Sequence, residues 1–183
     1  MQHTSTSTRH PALVIGLHWL TALAVLAAYA SCGDPSQAGN GLSGQIHVAA
    51  GLAVFGLTAL RLPLRGLAGV KTGEGLPAWQ RKAAQIAQAT LYLLLILTPL
   101  AGWAALADKS GQFVLLGWSL PLPAAQALWV QGLGVLHTGL GNALIALAGL
   151  HASAALLHHY LLGDTVLARM LPARVAARPT RRP

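Results

Sequence analysis

Four histidines stand inside long apolar runs of this chain: His18, His47, His137 and His151. A hydrocarbon interior leaves an ionisable side chain no water to bond, so its presence there marks a functional candidate. Imidazole offers two chemistries in such a place, a proton relay and a ligand to a metal ion. His137 and His151 lie fourteen residues apart on one predicted helix. At about 100° per residue they face nearly the same way, with about 21 Å of rise between them. That spacing leaves room for two stacked cofactors, each held from one side.

The elements that must carry these residues are read from composition. Of 183 residues, 54% are hydrophobic and only 9% charged, against about 25% charged in a soluble domain. The expected fold is all-α, an integral membrane four-helix bundle. Its spans run over about 12–30, 45–62, 83–106 and 133–162, each long enough for a core that needs about 20 residues. The glycine-, proline- and serine-rich stretch CGDPSQAGNGLSG breaks the chain after the first span. Pro63 and the following GLAGVKTGEGLP are expected to end the second, Pro99 to kink the third, and Pro121 and Pro123 to punctuate the third loop. A single domain is expected over 9–174, with polar or basic tails at 1–8 and 175–183.

Charge placement sets the expected orientation. The net charge is +8, but the basic residues flank the apolar runs and have no interleaved aromatics to stack bases, so no nucleic acid is expected. Eleven of the twelve Lys and Arg fall before the first span, at the end of the second or between it and the third, or after the fourth; Lys109 is the exception. Under the positive-inside rule both termini are cytoplasmic. Trp19, Trp79, Trp103, Trp118 and Trp129 lie near segment ends, as an interfacial aromatic belt requires. The first span with AYA before Ser31 has the outline of a secretory signal, but it is longer than the usual apolar region and contains His18, so it is read as retained. The single cysteine, Cys32, excludes an intramolecular disulfide.

With that topology the depths pair themselves. His47 enters near the outer face and His137 lies near the outer end of the fourth span, while His18 and His151 lie in the inner half. Two neutral imidazoles facing each other suit a six-coordinate haem iron, a site built for electron transfer. Hydrogen-bonding or proton-relay roles remain the alternative for any one histidine. Zinc or copper fits poorly, since no Asp, Glu or Cys lies at ligand spacing. Gly16, Gly51, Gly139, Gly141 and Gly149 would let a flat group approach the backbone, or let helices pack closely. Each ligating ring is expected to donate its second N–H to a carbonyl or hydroxyl, with Asn142, Thr138 and Ser153 as polar neighbours. His158 and His159 at the inner interface read as snorkelling side chains, or as proton acceptors beside a quinone. His3 and His10 are read as solvated.

Several blocks carry a resemblance: GLHWL around His18, QIHVAAGL around His47 with RLPLR beyond it, LYLLLILTPLAGW, LLGWSLPLP, and GLHASAALLHHYLLGDTVLARMLP. In this order, and from about Arg9 to Arg174, the chain resembles the bacterial cytochrome b561 family of dihaem four-helix inner-membrane proteins. The resemblance implies two haem b groups, with axial ligands His18 and His151 for one and His47 and His137 for the other. It implies a place in the bacterial inner membrane among lipid, and electron exchange with ubiquinone or another quinone. One branch of the family oxidises superoxide at the periplasmic face, and related proteins are haem-carrying membrane anchors for a separate dehydrogenase or hydrogenase. A redox partner protein is therefore the alternative to superoxide, and a haem-free transporter or assembly factor is the third reading. Two departures stand out. The loop SCGDPSQAGNGLSG has no Lys or Arg to steer an anion, and Gln85 and Gln88 occupy positions where some relatives carry histidine.

Overall fold

The computed structural model describes residues 11–32, 41–69, 76–110, 112–123, 132–164 and 166–171, with only the backbone described for 108–110. Four helices carry nearly all of it: α1 (Ala12–Ala30), α2 (Leu42–Leu67), α3 (Ala78–Ser110) and α4 (Leu133–Tyr160). All four are long and apolar enough to cross a membrane. Even the shortest, with 19 residues, extends about 28 Å, close to a hydrocarbon thickness of about 30 Å. The expected tails at 1–8 and 175–183, with His3, His10 and Trp129, lie outside the described residues.

α1 packs along α2, α3 along α4, and α2 joins the two hairpins through α3, while α1 touches α4 lightly. The buried centre is a mid-depth cluster of Val54, Tyr92, Leu94, Leu95 and Leu144, against which Ala24, Val25, Leu140 and Leu147 lean. Outward positions such as Leu23, Leu60, Leu93 and Leu150 are exposed. Lipid tails are as apolar as leucine, so these positions need no protein partner.

The second span is longer than expected, because Pro63 does not end it. Pro63 lies inside α2, where its missing N–H forfeits the bond to the Ala59 carbonyl and its ring crowds that oxygen, yet the helix continues past it. The helix stops where glycine can turn left-handed. Gly69 has φ +61°, Ala68 N–H donates to Leu64 O at 2.9 Å and Gly69 N–H to Gly66 O at 3.1 Å. α3 likewise begins at Ala78, directly after Pro77, a residue pre-set for a helix start.

The third loop holds an element the all-α expectation lacked. β1 (Phe113–Leu115) and β2 (Trp118–Leu120) form an antiparallel hairpin. Its two-residue turn puts both Leu116 (φ 49°) and Gly117 (φ 89°) in the left-handed region, the backbone of a type I′ turn. Leucine resists that conformation, and Gln45 of α2 holds it there. Gln45 Nε2 donates to Val114 O at 2.7 Å, and Gln45 Oε1 accepts the Leu116 N–H at 3.3 Å. Trp103 Nε1 donates to Pro121 O at 2.7 Å, and Phe113 is 2% exposed. The hairpin is thereby fastened over one end of the bundle, called the hairpin end below.

The double bond through Gln45 sets a test. Each hydrogen bond is worth about 1 kcal/mol net, so Gln45→Ala should speed hydrogen exchange at the Leu116 amide by about tenfold or more. Amides in the middle of α3 should exchange as in the wild type.

Two histidine pairs at opposite ends of the bundle

At the hairpin end, His47 of α2 and His137 of α4 face each other, their ring centroids 5.7 Å apart and their planes at 89°. Both rings are held from behind by backbone. His47 Nδ1 lies 2.8 Å from Ala28 O, and His137 Nδ1 lies 2.9 Å from Thr98 O. A carbonyl only accepts, so each Nδ1 carries the proton and each Nε2 the lone pair. The first acceptor has a local cause. Ala28 lies in the last turn of α1, where carbonyls lack an intrahelical partner. The Thr98 carbonyl lies on α3 one turn before Gly102.

Gly102, one turn past Thr98, makes the approach of His137 possible. A Cβ there would stand 2.8 Å from His137 Cε1 and 2.9 Å from its Nδ1. Sequence reasoning passed over Gly102, whose only signal was a glycine inside an apolar helix. The glycines it singled out behave otherwise. A Cβ at Gly16, Gly51, Gly139 or Gly149 would meet nothing within 4 Å, so these four do not serve helix contact. Of the expected polar neighbours, Thr138 bonds to Gly134 O of its own helix. Asn142 Oδ1 lies at a long 3.5 Å from Tyr29 Oη, across from α1. Ser153 is exposed.

At the other end, His18 of α1 and His151 of α4 stand 6.5 Å apart, with planes at 73°. His18 Nδ1 is buried and finds no partner among the described residues. Among the described residues, charge stands close to the histidines at this end, whereas the groups bonded to the other pair are neutral carbonyls. Arg61 of α2 is 8% exposed, lies 5.6 Å over the Tyr92 ring, and stands fourteen residues past His47 on its helix, level with this pair.

Beyond His151 the chain turns back over this end. Trp19 Nε1, beside His18, donates to Met170 O at 2.8 Å. His158 Nδ1 donates to Asp164 Oδ2, and Asp164 Oδ1 accepts the Val166 N–H at 3.0 Å. Slight burial of Asp164 works against ionisation, but the Val166 and His158 bonds, with the charge of Arg169, hold its carboxyl below the usual carboxylate range. His158 therefore has its Nδ1 proton held by an anion, which fixes the orientation of its ring. His159 stacks edge-on against Tyr160 at 4.9 Å. Gln85 lies exposed near the start of α3.

Known proteins resemble the chain over nearly its whole length. The family described as prokaryotic cytochrome b561 matches residues 9–173. The probable superoxide oxidase CybB of Yersinia pestis is 32% identical over 176 residues, 91% of this chain and 97% of the relative. Cytochrome b561 homolog 1 of Escherichia coli is 32% identical over 171 residues, 87% and 95% of the two chains. A cytochrome b562 of Cereibacter sphaeroides is 34% identical over 171 residues, 88% and 94%. Four membrane-length helices and this match together place the chain in the prokaryotic cytochrome b561 family, multi-pass b-type haem proteins of the bacterial inner membrane.

Proposed function

We propose that this chain holds two haem b groups, one between His47 and His137 and one between His18 and His151, and carries electrons between a donor and the membrane quinone pool. The observation that supports this most is the tautomer of the hairpin-end pair. Ala28 and Thr98 carbonyls fix protons on both Nδ1 atoms, so the nitrogens left for iron are the ligating kind, oriented from behind as metal-bound histidines are. Centroid separations of 5.7 and 6.5 Å suit rings sharing one metal through bonds of about 2 Å each. Bound haem supplies the one-electron couple. The chain supplies the ligands, an apolar seat between the α1–α2 and α3–α4 hairpins, and about 21 Å of α4 between the two sites.

Both termini lie on the cytoplasmic face in this reading, from the placement of eleven of twelve basic residues, which makes the hairpin end periplasmic. On the cytoplasmic side the His158 ring, oriented by Asp164, is the group placed to hand a proton to or from a quinone. Superoxide as donor at the hairpin end is supported by the relative named probable superoxide oxidase; it would lose one electron and leave as dioxygen. A haem-carrying membrane subunit for a separate dehydrogenase or hydrogenase is the second reading. It is favoured by the absence of Lys and Arg from residues 31–44, which leaves that loop nothing to steer an anion. The purified protein, given superoxide and a quinone, separates them. Haem reduction followed by quinone reduction supports the first, and failure of superoxide to reduce the haems gives way to the second.

Three sets of substitutions test the sites. His47→Ala or His137→Ala should lose one of two haems, counted per polypeptide, and keep the component that His18→Ala or His151→Ala removes. Gly102→Ala, whose methyl must displace a ring already tied to Thr98, should alter the low-temperature electron paramagnetic resonance signal of the hairpin-end component alone. Asp164→Asn should leave haem content intact and slow quinone-linked turnover by roughly tenfold or more.

A further inference from the structure

Arg61 is a buried cation that the fold does not answer. It sits at 8% exposure inside a membrane-length helix, and Arg65, one turn on, repeats its sign. Its Nε is buried with no hydrogen-bond partner among the described residues. The Tyr92 ring, 5.6 Å away, offers a π face but no countercharge. The hydroxyl of Tyr92 is itself buried, with no hydrogen-bond partner among the described residues. Two donors with no acceptor among the described residues thus lie together at the depth of His18 and His151: Arg61 follows His47 on α2 by the same fourteen residues by which His151 follows His137 on α4.

The chain has few anions to meet this demand. It contains four acidic residues: Asp34, Glu74, Asp108 and Asp164. Asp164 is taken by His158 and Val166. Asp108 lies at the hairpin end of α3, about 24 Å of helix beyond Tyr92. Asp34 and Glu74 lie outside the described residues. A planar guanidinium in a setting of low dielectric seeks a carboxylate it can bond in a fork. Haem b carries two carboxylates on its rim.

We infer that Arg61, with the Tyr92 hydroxyl, is the counter-ion of a propionate on the haem held between His18 and His151. This rests on the reading of those histidines as haem ligands. The pairing gives the cytoplasmic-side site a fixed positive charge that the hairpin-end site lacks. Reduction adds an electron to the haem, so a nearby cation favours the reduced form and raises the midpoint potential of that site alone.

The experiment compares purified, haem-loaded wild type with Arg61→Gln, Arg61→Lys, Tyr92→Phe and Glu74→Gln. Haem per polypeptide, the two midpoint potentials from visible spectra, and the propionate bending bands in resonance Raman spectra are read for each. Arg61→Gln should shift one component to lower potential and move its propionate bands, or lose that haem, with the other component unchanged. Arg61→Lys should recover most of the shift, and Tyr92→Phe should show a smaller shift in the same direction. Wild-type potentials and bands in both Arg61→Gln and Tyr92→Phe would overturn the inference. So would equal shifts of both components, or a Glu74→Gln variant that reproduces Arg61→Gln, which would make Glu74 the countercharge. If Arg61→Gln does not fold, Arg61→Lys and Tyr92→Phe carry the same decision through their bands. A wild-type protein with no haem at the His18–His151 site would instead refute the ligand reading on which this stands.

Discussion

A hydrocarbon interior supplies no water to a ring nitrogen, so every intramembrane polar atom must be answered by the protein or by something the protein holds. The hairpin-end histidines show how the fold meets this constraint. One ring nitrogen of each is answered by a main-chain carbonyl, from the last turn of α1 for His47 and from the Pro99 turn of α3 for His137. Those bonds set ring orientation, and much else follows from it. α3 needs glycine at position 102 because the His137 ring passes against its backbone. Gln45, two residues before His47, reaches the other way and holds a strained turn in place. The start of α2 therefore supports both the ring and the cap above it.

The two ends of the bundle are built on different electrostatics. At the hairpin end the described polar groups around the histidines are neutral: carbonyls, a tyrosine, an asparagine and a glutamine amide. At the end that holds His18 and His151 they are ionic, with Arg61 buried beside Tyr92 and Asp164 joined to His158. A charge in a low-dielectric setting acts over longer range than one in water, so this asymmetry bears on any redox centre the histidines hold. In the proposed function it distinguishes an electron site that is electrostatically plain from one coupled to charge and protons.

Membership in the prokaryotic cytochrome b561 family at 32–34% identity over nearly the whole chain is consistent with the division of labour seen here. The lipid-facing positions ask only for an apolar side chain, which many residues satisfy equally. Positions that touch a ring, a carbonyl or a buried charge tolerate far less. Gly102, Gln45, Thr98 and Arg61 belong to this second set by their contacts.

Hydropathy and length were enough to read four helices from the residues alone, because a membrane span is a one-dimensional property. The depth of each histidine was legible for the same reason: rise per residue places His47 level with His137 and His18 level with His151. Helix ends were less legible. Pro63 looked like a terminator, yet a helix survives one missing hydrogen bond and stops instead at Gly69. The hairpin was invisible, since Leu116 at φ 49° carries none of the usual turn chemistry and is held by a side chain 71 residues away. The same holds for the Nδ1 partners, for Gly102 and for the company of Arg61. Each is a contact between helices distant in the chain, and azimuth and packing decide it after the helices have formed. The sequence by itself determined how deep each chemical group lies. Only the tertiary structure decided what each one faces.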